Sequence, residues 1–230
     1  MEVQVKYFRF FFIAVAFLTL FFTGCATKET QRKLDTPKPV TASRPYNGPR
    51  SLLAVGKFDN RSEFMRGVFS DGQDRLGGQA KTILIAHLTQ TNRFTVLDRD
   101  NMAEAAWEAA LGEEEQNLLG ATYLITGSVT EFGRKEVGDM QLYGILGHGK
   151  KQIAYSKVTL NVVNVRTLAV VYSAQGAGET ELSEREVLGF GSYSNYDSTL
   201  NGKVLDLAIR EAVDRLAEGI DMGVWRPAGG

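Results

Sequence analysis

The chain has 230 residues and a formal net charge of −1, with 43% hydrophobic and 23% charged residues. That balance provides no basic field for nucleic acid, and it describes a chain with enough apolar surface to fold. One cysteine excludes an internal disulfide, and only two histidines, His87 and His148, leave no Cys or His pair with metal-site spacing.

The first element along the chain is a leader. Met1–Arg9 carries Lys6 and Arg9, Phe10–Phe22 carries no charge, and Thr23-Gly24-Cys25 follows. A basic start, a short apolar run and a small residue before the cut describe a signal peptide over residues 1–24. The run is shorter than the roughly 20 residues a membrane helix needs. Phe22-Thr23-Gly24-Cys25 resembles the bacterial lipobox, with Phe22 where Leu is usual. The resemblance implies cleavage before Cys25 and acylation of its thiol. Ala26 after the cysteine, in place of Asp, implies sorting to the outer membrane. Each buried methylene contributes about 0.8 kcal/mol, so a cysteine with two or more acyl chains anchors stably without a membrane helix. The other reading of Cys25 is an unpaired thiol with no role.

Residues 25–50 read as the lipidated cysteine and a Pro-rich tether. Four of the five prolines fall here (Pro37, Pro39, Pro45, Pro49), among Lys28, Arg32, Lys33, Lys38, Arg44 and Arg50. Such a stretch is expected to stay extended and hydrated, or to lie against anionic head groups.

The domain is expected over 51–226. Leu52–Val55 has strand length and ends in the polar Asp59–Ser62 cluster. After Gly77-Gly78, the spacing of Ala80, Ile83, Leu84 and Leu88 predicts a helix. Phe94–Leu97 is the next strand, entered through Thr91-Asn92. Asp98 or Asn101 is placed to cap an Ala-rich helix over Met102–Leu111, closed by Gly112. Tyr123–Phe132 is a third strand, and residues 153–165 alternate as a fourth. The turn at Arg166-Thr167 leads to a fifth strand from Ala169, so the last two form a hairpin. Leu200, Val204, Leu205, Ala208, Ile209, Ala212, Val213 and Leu216 then mark one face of a helix ending at Gly219. The order β-α-β-α-β-β-β-α predicts an α+β fold, a mixed β-sheet with packed helices. Two Gly-rich segments, residues 133–152 and 175–198, are long for connections and do not fit that scheme.

Three stretches carry a resemblance to the CsgG/HfaB family, which includes the curli secretion channel. They are Ser156–Val165 (SKVTLNVVNV), Phe94–Arg99 (FTVLDR) and Leu200–Trp225, the last containing Gly219–Trp225 (GIDMGVW). The resemblance implies a periplasmic α/β domain that assembles into a ring. In channel members two extra hairpins per subunit build a shared transmembrane β-barrel, and those hairpins would fall at 133–155 and 172–198. Barrel strands and surface loops are both open for these segments. A spanning strand needs about 9–11 residues with one apolar face. The second segment instead carries Glu179, Glu181, Glu184, Arg185 and Glu186. A pore-constriction loop would fall at Phe64–Gly72. The positions matching its Tyr, Asn and Phe read Gly67, Asp71 and Gly72, and the nearby aromatics are Phe64 and Phe69. No gating residue carries over.

No catalytic set assembles from these residues. His87 on a helix reads as a packing or surface residue, Glu113-Glu114-Glu115 as a solvated acidic turn, and Gly189-Phe190-Gly191 lacks the strand and helix that flank a phosphate loop. The expectation is a protein that is not an enzyme and has no cofactor, metal or nucleic acid. It would be held by lipid to the periplasmic face of the outer membrane, homo-oligomeric, and engaged in export or assembly of secreted fibre subunits or adhesins. The alternative is a periplasmic adaptor without a pore that binds an envelope accessory protein. A hydrolase would need a nucleophile the sequence does not display.

Overall fold

A computed structural model describes residues 36–64, 74–140, 148–185 and 199–225. The chain divides into two units, Met1–Thr36 and Pro37–Gly230, and the second holds the sheet and its helices.

Five strands form one sheet in the order β2-β1-β3-β4-β5. β1 (Ser51–Asn60) is central enough to pair in parallel with both β2 (Phe94–Leu97) and β3 (Tyr123–Met140). β4 (His148–Asn164) and β5 (Val170–Arg185) complete an antiparallel meander with β3. Helix α1 (Arg75–Gln90) crosses from β1 to β2, α2 (Met102–Leu111) follows β2, and α3 (Thr199–Asp221) closes the fold. The α+β expectation with a mixed sheet therefore holds. Among the described residues, no helix is long and apolar enough to cross a membrane.

One sheet face is covered by α1 and α3, which also pack on each other. Leu53, Val55, Phe58, Ile125, Val129, Val158, Leu160 and Val162 meet Leu84 and Leu88 of α1 and Val204, Ile209, Val213 and Leu216 of α3. The pattern in α3 explains why: its apolar residues recur at the three-to-four spacing that keeps one stripe on the sheet. On the other face Thr126, Ser128, Thr159, Asn161 and Ser173 alternate with those core residues, as expected for a sheet wetted on one side.

Trp225 seals the end of the core where β2, β3 and β5 begin. It stacks on Phe94 (6.1 Å) and Tyr172 (5.9 Å), meets Tyr123 edge-on (5.6 Å), and donates from Nε1 to the Leu216 carbonyl at 3.1 Å. A buried indole needs such a partner for its N–H.

Helix α1 starts at Arg75, one turn earlier than its glycines suggested. Asp74 caps it, accepting from the Gly77 amide at 2.7 Å and from the Asn60 amide at 2.6 Å. Gly77 lies in the first turn because a Cβ there would sit 2.4 Å from the Phe58 carbonyl.

The sequence leaves strands and surface loops both open for the two Gly-rich segments. Over the described residues they are strand: β3 runs on to Met140, β4 begins at His148, and β5 runs to Arg185, in continuous register from Gly133↔Tyr155 to Met140↔His148 and from Tyr155↔Glu179 to Gly149↔Arg185. The glycines serve close packing. A Cβ on Gly176 would lie 2.0 Å from the Ala208 carbonyl oxygen, and one on Gly178 2.9 Å from that of Val204. α3 thus lies almost directly on the β5 backbone, an approach only glycine permits.

Candidate functional site and surfaces

Three features remain once the core is accounted for: a strap at the N-terminal side of the domain, a helix with no buried residue, and a strand arm.

The strap is residues 37–50, within the stretch read as tether. Val40–Ser43 forms a 3-10 turn whose start is gripped by the Asp214 carboxylate of α3. That carboxylate accepts from the Val40 amide (2.9 Å), the Thr41 amide (2.8 Å) and the Thr41 hydroxyl (2.7 Å). Arg93, 1% exposed, holds the same turn. Its Nε and Nη2 donate to the two oxygens of Asp221 (2.8 and 2.6 Å), while Nη1 donates to the carbonyls of Thr41 (3.0 Å) and Thr91 (2.8 Å). Tyr46 covers the guanidinium with its ring centroid 4.9 Å away. The planar fork matches the carboxylate at two points, a geometry lysine cannot supply. Asn92, at φ 62°, reverses the chain just before Arg93 and so aims it back under the strap. A bidentate, buried arginine of this kind fixes position, and it ties the strap, the start of β2 and the end of α3 together.

Sequence reasoning missed Arg93, Asp214 and Asp221. The available signal was weak: an arginine directly before an apolar strand, and an acid inside the GIDMGVW stretch.

His87 sits where its spacing on α1 suggested packing. It is buried, with Nε2 2.8 Å from Asp206 Oδ1 of α3 and Nδ1 3.4 Å from Gln90 Oε1. It joins the two helices through a polar contact inside their interface. His148 falls in β4, paired with Met140. Among the described residues, no three His, Cys, Asp or Glu side chains converge to hold a metal.

The second feature is α2. None of its residues is buried, and Trp107 and Leu111 are 67% and 65% exposed. Leu118 and Leu119, on the way back to β3, are exposed as well. Asp98 organises the approach to the helix. It accepts from the amides of Asp100 (3.0 Å) and Asn101 (3.2 Å) and from the Asn101 side chain (2.6 Å). Those hydrogen bonds, the Asn101 side chain first, hold its carboxyl below the ordinary value. Asn101 occupies the cap position without a side-chain hydrogen bond of its own to the helix. Glu113–Glu115 are exposed, as an acidic turn should be.

The third feature is the arm. Beyond the end of β1 at Asn60, β3, β4 and β5 continue as three strands. α3 reaches this region through Arg134 Nε, which donates to Asn201 Oδ1 at 2.9 Å, and through Val204 above Gly178. Further out lie Lys135–Met140, His148–Ile153 and Glu179–Arg185. Lys135 and Glu179 are exposed neighbours with Nζ 3.9 Å from the carboxylate. Phe64, at the edge of the expected constriction loop, is half-buried against Phe132 (centroids 4.6 Å apart), which is local packing. Gly67, Phe69, Asp71 and Gly72, the tip 141–147, the segment 186–198 with its Gly189-Phe190-Gly191, and Cys25 itself all lie outside the described residues.

Comparison with known proteins decides the family. The model of the family described as "Curli production assembly/transport component CsgG" matches residues 40–229. The chain belongs to the CsgG family. A relative in Neisseria meningitidis serogroup B, named "Putative lipoprotein NMB1126/NMB1164", is 57% identical over 215 residues, covering 94% of this chain and 96% of its own length. Two solved structures are also similar. One is a PelC dodecamer from Paraburkholderia phytofirmans, at 16% identity and TM-score 0.35, covering 80% of this chain and 95% of that one. The other is the lipoprotein GNA1162 from Neisseria meningitidis, at 17% identity and TM-score 0.35, covering 76% and 100%. The family match begins at Val40, the first residue of the strap's 3-10 turn, so the gripped strap is part of the CsgG-family unit.

Proposed function

We propose that this CsgG-family chain is a lipoprotein anchored through acylated Cys25 to the periplasmic face of the outer membrane, and that its domains assemble into a homo-oligomer serving export or assembly of extracellular protein. It acts without catalysis or cofactor, by confining and positioning secreted subunits. The observation that carries the reading is the family match over residues 40–229, in a chain whose sole cysteine directly follows an apolar leader. The relative's lipoprotein name supports the anchor. The α2 surface supports assembly, because a ten-residue helix with no packed face is marginal by itself in water.

A second reading, an adaptor domain without a pore, is favoured by one specific observation. The described part of the arm carries exposed charges, Lys135 in β3 and Glu179 and Glu181 in β5. Glu179 and Glu181 are two apart and so share one face of the strand, which they charge. Lysine or arginine at the bilayer midplane of a lipid-facing strand costs about 2–4 kcal/mol, falling towards zero near the interfaces. On the channel reading these residues lie at the head-group level or face the lumen; on the adaptor reading the arm stays in water.

Two measurements test these readings. Cys25→Ser should release the protein from the membrane fraction; retention would mean that strands rather than lipid hold it. Purified oligomer added to planar bilayers should give discrete conductance steps on the channel reading, and silent membranes would leave the adaptor.

A further inference from the structure

We propose that the turn between β4 and β5, with the C-terminal end of α3 beside it, dips into the interface of the bilayer that holds the lipid anchor. The inference rests on the acylated Cys25 proposed above, and it leaves the arm in water, as on the adaptor reading.

Residues 165–171 span this turn and the start of β5, and every one of them is exposed. Among them Val165, Leu168, Val170 and Val171 are large and apolar, with Leu168 79% exposed. The turn that presents them is rigid. The Asn164 side chain accepts from the amides of Arg166 (2.9 Å) and Thr167 (3.1 Å), and the Asn164 carbonyl accepts from the Leu168 amide (2.8 Å). The Asn164 amide in turn donates to the Ala169 carbonyl (2.9 Å). Leu168 has φ 58°, a conformation that glycine or asparagine adopts at lower cost. The turn therefore carries a leucine that its backbone disfavours and the core does not use. Strain kept at an exposed apolar tip points to a contact outside the protomer.

Met222 and Val224, 70% and 65% exposed, lie at the same end of the sheet, because Trp225 stacks on Tyr172 of β5. Arg166 is the one charge within 165–171, and 222–225 carries none. The acids of α3 at this end are taken up inside the protomer: Asp214 by the strap, Glu218 by Arg44 and Asp221 by Arg93. An aliphatic tip beside one arginine suits a head-group layer, where the guanidinium stays at phosphate level while the apolar side chains sink. The chain itself selects the bilayer as the occupant. The strap joins the domain at this end, where Arg93 ties Thr41 to Asp221. Residues 26–36 alone separate the strap from Cys25, and fully extended they span about 40 Å. β3 runs away from this end to Met140, about 55 Å at the rise of a strand. The anchor thus reaches the turn and falls short of the arm tip. Four aliphatic side chains add to the acyl chains and do not replace them, so Cys25→Ser still releases the protein.

The test uses the full-length lipoprotein, purified in mild detergent and added to vesicles of phosphatidylethanolamine and phosphatidylglycerol. With Cys25 acylated, an introduced cysteine is the one free thiol. Leu168→Cys at the turn and Glu181→Cys on the arm are each labelled with an environment-sensitive fluorophore. Lipid carrying a nitroxide should quench the label at 168 at least twofold more than the label at 181, and iodide in the water should do the reverse. In a second experiment, Leu168→Asp should leave flotation with the vesicles unchanged and cut nitroxide quenching of a label on Met222→Cys at least twofold; unchanged quenching there would overturn the proposal. Nitroxide quenching at 181 equal to or above that at 168 would overturn it by bringing the arm to the bilayer. A label at 168 that is open to iodide, or shielded from both quenchers by a second protein, would overturn it while the anchor stands. Wild-type protein that fails to float with the vesicles would overturn the acylated anchor as well.

Discussion

α3 and α2 are helices of the same chain with opposite relations to it. α3 has 23 residues and turns a continuous stripe from Val204 to Ile220 into the core. α2 has 10 residues and buries none. The stability of α3 is tertiary: its apolar stripe lies on β5 so closely that Gly176 and Gly178 must lack side chains. What holds α2 within the protomer is local, namely the Asp98 turn and the high helix propensity of its alanines. A helix that folds the domain and a helix that stands outside its core can therefore be told apart by what each one covers.

That contrast can be broken at several points. The largest effect is expected at the packed end: Trp225→Ala removes the indole from Phe94, Tyr123 and Tyr172 and should cost about 3–5 kcal/mol. Urea unfolding followed by far-UV circular dichroism measures it. Asp221→Ala should cost about 3 kcal/mol, because it leaves the Arg93 guanidinium buried without its carboxylate. Chymotrypsin should then cleave after Tyr46 much faster than in wild type, since the strap loses its pin. Gly176→Ala forces a Cβ against the Ala208 carbonyl and should cost about 1–3 kcal/mol, read as a lowered melting temperature. Trp107→Ser, by contrast, should leave protomer stability within about 0.5 kcal/mol, because the indole is 67% exposed; a large loss would show that α2 belongs to the core after all.

The smallest effect is at Asp98. Its carboxyl is held below the ordinary value in the folded protein, so its contribution is present at neutral pH and is lost as the pH falls through that lowered value. Asp98→Ala at pH 7 should raise amide hydrogen exchange in α2 and leave exchange in α3 unchanged, and acidification below the ordinary carboxylate range should erase the difference between the variant and wild type in α2.

The order of strands and helices was legible because each element carries its own period. Val158, Leu160 and Val162 alternate, and the α3 stripe repeats at helical spacing, whatever surrounds them. The arm was not legible in that way. Glycines in 175–185 read as loop signals because a sequence does not tell a glycine needed for a turn from one needed beneath a helix backbone. The strap was hidden for a related reason. Proline and basic residues in 36–50 describe a chain that buries little apolar surface by itself, and they do not reveal that Asp214, more than 170 positions away, binds its amides.

By itself the sequence determined the leader ending at Cys25 as an expectation, the α+β element order and the family, since these depend on local pattern and on motifs within single stretches. Only the tertiary structure decided that Arg93 pins the strap, that the glycines of β5 admit α3, and that α2 stands uncovered. Each of those depends on which backbone atoms distant segments bring within hydrogen-bonding or van der Waals reach, and residue order along the chain does not encode that distance in any local signal.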